Sequence, residues 1–173
     1  MSTETPKPAA ILSLPGHPPA QDLLAGFARR LMAEGVPVMG LLQETRREAG
    51  RKTAMDLVEV GTGNRFSIKQ NLGQSAGCSV DTQGLAEATQ VLRRALLERP
   101  ALAVVNKFSH LESEGRGLAH EMLALMAEGI PVLTTVSPEY QEAWERFTGG
   151  LACVLEPSEQ AIRDWWQRSS RPA

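Results

Sequence analysis

The chain has 173 residues, of which 42% are hydrophobic and 22% charged, enough for one domain with a sizeable core. Its net charge of -2 gives no whole-chain attraction to nucleic acid or to an anionic membrane. The two cysteines, Cys78 and Cys153, form no CxxC pair, which excludes a zinc ribbon and a disulfide scaffold. The N-terminus is not a signal peptide and no apolar run is long enough to span a bilayer. We therefore expect a cytoplasmic protein without membrane insertion.

Taken in chain order, short apolar runs alternate with amphipathic segments. The runs predict buried strands at residues 9–14, 36–42, 101–105, 130–136 and 151–155. Helices are expected at residues 21–35, 81–98, 118–128, 138–147 and 158–168. Between the second strand and the second helix, the polar segment 43–53 reads as an exposed loop, and GTGN at 61–64 predicts a β-hairpin.

This alternation predicts an α/β fold with three layers: a mainly parallel sheet of about five strands, helices on both faces and an inserted β-hairpin. We expect a single domain over residues 1–173, with a disordered N-terminal tail at 1–8 and a loop plus hairpin insertion at 43–72.

The segment after the first strand is where phosphate-binding NTPases carry GxxxxGK[ST], whose backbone N–H groups and lysine hold the phosphates. Here residues 15–22 read PGHPPAQD, with three prolines that lack an N–H and with no lysine. Asp22 would also place a carboxylate at the positive end of the helix. The pattern favours a rigid strand-to-helix turn over a remnant of a phosphate-binding loop that still uses Gly16 and His17.

Two later loops are better site candidates, because ligands of open α/β sheets bind beyond the carboxyl ends of the strands. The loop Gly73–Asp81, GQSAGCSVD, has the composition of an oxyanion nest before a helix N-terminus. Its candidate anion contacts are Ser75, Gly77, Cys78 and Ser79. A helix N-terminus would make the Cys78 thiol reactive. An ordinary loop with a small buried cysteine is the alternative.

The loop Asn106–Gly117, NKFSHLESEGRG, follows a buried strand and is dense in ionisable groups. Its candidate anion contacts are Asn106, Lys107, His110, Arg116 and Gly117. His110, Glu112 and Glu114 alternate, so an extended chain would place them on one face; one histidine with two carboxylates does not predict a metal site. The alternative is a solvated turn that caps the next helix. We expect the two loops to lie side by side at one end of the sheet.

Several segments of the sequence, including this loop, resemble those of a known family. The strings VVNKFSHLESEGRGL, GIPVLTTV, MDLVEVGTGNRFSIKQNLG, GCSVD and AWERFTGGLACVL are similar to those of a bacterial family of unknown function, often encoded near genes for molybdate transport or molybdenum enzymes. That family is distantly similar to small P-loop nucleoside triphosphatases. The resemblance implies a degenerate P-loop-like fold and a nucleotide- or oxyanion-binding role in molybdenum metabolism.

In the loop Asn106–Gly117, the pattern of this family is roughly NRFGKxExEGRG. The matching residues are Asn106, Phe108, Glu112, Glu114, Gly115, Arg116 and Gly117, and Cys78 and Asp81 match the family's other loop. Lys107, Ser109 and His110 stand where arginine, glycine and lysine are usual.

The sequence leaves three functions open. The favoured one is a non-hydrolysing domain that binds a small anionic ligand: molybdate or tungstate, or a nucleotide phosphate. The second is a nucleoside triphosphatase or phosphotransferase with an atypical site that uses Glu112 or Glu114 as base. The third is a partner-binding accessory protein. A homo-oligomer is compatible with each, whereas nucleic acid is not an expected partner.

Overall fold

The computed structural model describes residues 7–71, 78–80 and 82–170, where eight strands and six α-helices are assigned. The strands are β1 (Ala9–Leu12), β2 (Val38–Glu48), β3 (Arg51–Glu59), β4 (Arg65–Asn71), β5 (Cys78–Val80), β6 (Leu102–Val105), β7 (Val132–Val136) and β8 (Cys153–Leu155). The helices are α1 (Ala20–Ala33), α2 (Thr82–Glu98), α3 (His110–Ser113), α4 (Ala119–Ala127), α5 (Gln141–Phe147) and α6 (Glu159–Ser170), with a 3₁₀ turn at Pro138–Tyr140.

All eight strands belong to one sheet in the order β5-β4-β3-β2-β6-β7-β1-β8. The neighbours from β2 through β6, β7 and β1 to β8 are parallel, which confirms the prediction of a parallel sheet of about five strands. The strands β3, β4 and β5 add to it antiparallel. The predicted hairpin is confirmed at the β3–β4 turn, where Glu59 N–H donates to the Asn64 carbonyl.

Two apolar cores lie on opposite faces of this sheet, as the three-layer prediction requires. On one face the side chains of α2, α4 and α5 pack against β6 and β7 and bury Leu92, Met122 and Trp144. On the other face α1 and α6 bury Leu24 and Trp165. Both faces of β6 and β7 are covered, so their residues are buried without alternation.

The predicted exposed loop at 43–53 is wrong, because these residues extend β2 and β3 into a two-stranded ribbon. The ribbon turns at Ala49 and Gly50, both with positive φ, as in two-residue hairpin turns. Its polar side chains pair across strands: Arg46 with Asp56 at 3.1 Å and Glu44 with Arg65. The pairing to Glu44 raises the pKa of Arg65. Because the ribbon carries solvated ion pairs instead of alternating apolar residues, its sequence resembles that of an exposed loop.

Two smaller corrections concern a predicted loop and the predicted tail. Cys78–Val80, placed in a loop by the sequence, form the edge strand β5 antiparallel to β4. Within the predicted tail, Pro8 accepts a hydrogen bond from Cys153 N–H and Lys7 accepts one from the Trp165 indole, while residues 1–6 lie outside the described chain. Both contacts tie the residues before β1 to neighbouring elements.

Among the described residues, none of the helices combines the length and the apolar character needed to cross a bilayer.

Gly40 provides a direct test of the contact between β2 and β6. A Cβ built at Gly40, which has φ +133, would lie 1.9 Å from the Val104 carbonyl oxygen. We expect Gly40→Ala to lower the free energy of unfolding by about 3 kcal/mol, because the strands must separate. Urea denaturation measures this.

The matched control is Gly26→Ala in α1, where no heavy atom lies within 4 Å of the new Cβ. This variant is expected to gain about 0.5–1 kcal/mol from helix propensity. Equal effects of the two substitutions would contradict the β2–β6 register.

Candidate functional site

A cleft of about 410 Å³ opens where the parallel strands β6 and β7 end. Leu41 of β2 pairs with Val105, the last residue of β6, and β2 then continues to Glu48 past this edge. The ribbon and the residues after β6 and β7 therefore wall the same space, which we call the strand-end cleft. Its polar lining is Gln43, Asn106, Lys107, Ser109, His110, Glu112, Ser137 and Glu139. Its apolar and aromatic lining is Met55, Leu57, Ile68, Leu85, Leu111, Leu118 and Tyr140.

The floor of the cleft is the segment Asn106–Phe108, which the two neighbouring strands hold in place. Asn106 N–H donates to the Leu41 carbonyl at 3.1 Å, and Phe108 N–H donates to the Thr135 carbonyl at 3.0 Å. The Asn106–Lys107 peptide is cis. Phe108 is fully buried against Trp144, with ring centroids 5.3 Å apart. The segment is therefore fixed by backbone hydrogen bonds on both sides and by an aromatic anchor.

Asn106 carries the most informative side chain of the site. The residue is 2% exposed, and its Oδ1 accepts a hydrogen bond from Thr135 Oγ1 at 2.9 Å. Its Nδ2 is buried and makes no hydrogen bond to the described part of the chain. Because a buried N–H group without a partner costs free energy, a donor left open beside a cleft points to a ligand atom that completes it.

Glu112 organises the loop that closes one side of the cleft. Its Oε1 accepts from Ser109 N–H at 3.1 Å and from Ser109 Oγ at 3.2 Å, and its Oε2 accepts from Leu118 N–H at 3.1 Å. A Cβ at Gly117 would lie 2.1 Å from Oε2, so the loop needs glycine there. With both oxygens engaged by its own loop, the carboxylate acts as a clasp rather than as an accessible base.

The side chains of His110, which also lines the cleft, and of Glu114 are exposed on the same loop. The short helix α3 places them one turn apart, with His110 Nε2 2.8 Å from Glu114 Oε1. The expectation that an extended chain would group them with Glu112 is therefore wrong, because the helical turn directs Glu112 inward instead. The Arg116 side chain is 67% exposed and 3.9 Å from Glu114, and it does not line the cleft.

The segment after β1 lies elsewhere and forms the expected tight turn. His17 N–H donates to the Leu14 carbonyl, and α1 begins after Pro19 without a side-chain cap. Residues 15–19 are exposed, and none of them lines the strand-end cleft.

The expected neighbourhood of the two loops is only partly described. Ser75 and Gly77 lie outside the described residues, and the side chains of Cys78 and Ser79 are not described. Leu85, in the first turns of α2 just after this loop, does line the cleft. The four candidate contacts in this loop stay predictions.

Sequence reasoning missed the ribbon wall and the residues after β7. Gln43 is missed because the sequence predicts a loop at 43–53, whereas Met55 and Ile68 lie on the two sides of the predicted hairpin but carry no local signal that places them at the cleft. Ser137 could have been found, since it directly follows the buried run VLTTV and the strand-end rule applies to it as well. Among the described residues, no three His, Cys, Asp or Glu side chains cluster as a metal site.

A comparison with known proteins shows the family to which the chain belongs. Residues 9–165 match the model of a family described as a protein of unknown function, DUF2478. The chain belongs to this family. The predicted resemblance to a family of unknown function is thereby confirmed.

Two similar proteins extend this relationship. The chain is 39% identical over 164 residues to a molybdenum import ATP-binding protein, ModC 2, of Bradyrhizobium diazoefficiens; the match covers 94% of this chain. It spans only 18% of that relative, less than a fifth of its length. The solution structure of a human cancer-related nucleoside triphosphatase has a TM-score of 0.62 at 19% identity and covers 95% of this chain and 100% of the other. This likeness shows that the two chains share a fold, in agreement with the predicted α/β architecture.

The hydrogen bonds of Glu112 predict that its side chain contributes more to the free energy of unfolding than that of the neighbouring Glu114. In Glu112→Gln one of the two backbone N–H donors must face the new NH₂ group, so we expect the free energy of unfolding to fall by about 1–3 kcal/mol. Guanidinium or urea denaturation of the purified variant gives this number.

Glu114→Gln is the control, because the Glu114 side chain is about half exposed and, among the described residues, its carboxylate pairs with His110 and Arg116 alone. It is expected to change stability by less than about 0.5 kcal/mol. If both variants are as stable as the parent chain, Glu112 is not the clasp.

Proposed function

We propose that this chain is a non-hydrolysing, P-loop-like binding domain that holds a small anionic ligand in the strand-end cleft. The observation that carries the proposal is the buried Asn106 amide, which has an open donor at the carboxyl ends of β6 and β7. Binding at this edge is the general rule for open α/β sheets. A volume of about 410 Å³ is within the usual range for small-ligand sites.

Charge at the floor supports an anion as the ligand. Lys107 directly follows Asn106 and lines the same cleft, so an ammonium group and an amide donor stand next to each other in the chain. Leu85, the fourth residue of α2, lines the cleft, so the partly positive N-terminal turn of this helix lies within about one turn of it. Two carboxylates also line the cleft. N–H and hydroxyl donors of its own loop already surround the carboxylate of Glu112, and Glu139 is exposed to water in the 3₁₀ turn after β7.

The composition of the β1–α1 turn supports binding without hydrolysis. Phosphoryl transfer depends on positioning and charge stabilisation of the transferred group. Pro15, Pro18 and Pro19 supply no N–H to a phosphate cradle, and the turn has no lysine. After β6 the chain carries Asn106 and Lys107 rather than a carboxylate that could hold magnesium, and both oxygens of the buried Glu112 are engaged within its own loop.

The proposed setting is molybdenum metabolism in the cytoplasm, with molybdate, tungstate or a nucleotide phosphate as candidate ligands. What supports this setting is the name of the ModC 2 relative. Since the matched segment is 18% of that protein, its ATP binding and its role in import are not carried over to this chain.

Lys107→Met and Asn106→Leu test the site directly. We expect Lys107→Met to weaken anion binding about tenfold or more, because a charge-assisted hydrogen bond is lost. Asn106→Leu removes the open donor and should weaken binding similarly; Lys107→Met, at a partly exposed position, decides the matter if the buried variant is unstable. Titration calorimetry against molybdate, tungstate, phosphate, ATP and ADP measures both.

Arg168→Met is the matched control, since Arg168 is an exposed cation in the last turn of α6, a helix that contributes nothing to the cleft. It should leave each affinity unchanged. An unchanged affinity in Lys107→Met would overturn the site. Turnover of ATP with magnesium at about 1 per second or faster, abolished by Glu112→Gln or Glu114→Gln, would promote the triphosphatase alternative instead.

A further inference from the structure

One wall of the strand-end cleft is apolar and still partly open to water. Met55 of β3, Ile68 of β4 and Leu85 of α2 line it and are only half-buried. Met55 and Ile68 lie on the neighbouring antiparallel strands β3 and β4, outside the parallel part of the sheet, and Leu85 lies in the first turns of α2. A bare tetrahedral oxyanion gains nothing from such a wall, whereas an organic ligand covers it and gains hydrophobic free energy.

Gln43 adds hydrogen-bonding capacity to this wall. It lies opposite Leu57 in the β2–β3 register, so both side chains are on the same face of the ribbon. Gln43 is half-buried and lines the cleft, and its carboxamide makes no hydrogen bond to the described residues. A carboxamide donates and accepts at the same time, which matches the adjacent donor and acceptor atoms of a heterocyclic ring.

An aromatic side chain lines the cleft from the other side. Tyr140 follows β7 in the 3₁₀ turn and is half-buried, with its ring centroid 6.5 Å from that of His110. The lining therefore combines an apolar wall, an open carboxamide and an aromatic ring with the cationic floor at Lys107. This is the combination that binds planar, partly polar ligands.

We propose that the ligand is an organic anion with a planar heterocycle, not an inorganic oxyanion. The ring lies against Met55, Ile68 and Leu85, the Gln43 carboxamide pairs with the ring edge, and the anionic group points to Lys107 and Asn106. This inference rests on the proposed anion site and narrows its ligand class. It also assigns Gln43, a residue of the ribbon, as the group that selects for the ring.

A fragment series separates the ring from the anion. Titrations compare AMP and GMP with ribose 5-phosphate, orthophosphate and molybdate, using the full chain. At least one of the two mononucleotides should bind about tenfold or more tightly than ribose 5-phosphate. Gln43→Ala should reduce that ratio about tenfold while leaving the affinity for ribose 5-phosphate unchanged. Gln167→Ala, at an exposed position of α6, is the matched control and should leave the ratio unchanged.

The outcomes distinguish this inference from the anion site itself. If ribose 5-phosphate, orthophosphate or molybdate binds as tightly as both mononucleotides and Gln43→Ala changes nothing, the ring-binding inference is overturned and the anion site stands. If none of the five probes binds, both proposals fail.

Discussion

The backbone hydrogen bonds around Asn106–Phe108 hold together everything that makes the cleft a candidate site. Asn106 N–H is bonded to β2 and Phe108 N–H to β7, so the segment crosses the strand ends without leaving the sheet. The side chain of Asn106 is thereby buried next to Thr135, and Lys107 is carried to the cleft floor. The fixed backbone is what makes the open amide donor meaningful, since a mobile side chain would simply turn towards water.

A second layer of polar contacts keeps the cleft open on its loop side. Glu112 ties Ser109 to Leu118, and glycine at 117 leaves room for its carboxylate. The buried acid of this loop therefore has a structural use, and the exposed acid, Glu114, pairs with His110. The charged residues of 106–117 therefore have different positions. Glu112 is buried and holds its loop together, His110 and Glu114 form an exposed pair, and Lys107 lies at the cleft floor.

The sequence predicted the parallel core well and the ribbon poorly, for one physical reason. Buried strands such as 102–105 and 132–136 are recognisable because covering both faces demands continuous apolar residues. The ribbon is stabilised instead by cross-strand ion pairs such as Arg46 with Asp56, which leave a polar sequence. Asn106 could be predicted, because its position depends only on the end of one strand. Gln43 and Ile68 could not, because their place in the cleft depends on pairings between segments distant in the chain.

The most direct test of the account is to follow the side-chain amide signal of Asn106 in a ¹⁵N-labelled sample during titration with phosphate-bearing ligand. We expect the Asn106 NH₂ resonances to shift with added ligand and to saturate with the binding curve, because Nδ2 gains its missing acceptor. The backbone amides of Gly16 and His17 should stay in place. Shifts confined to Gly16 and His17, with Asn106 unmoved at saturation, would contradict the strand-end site and return the ligand to the turn after β1.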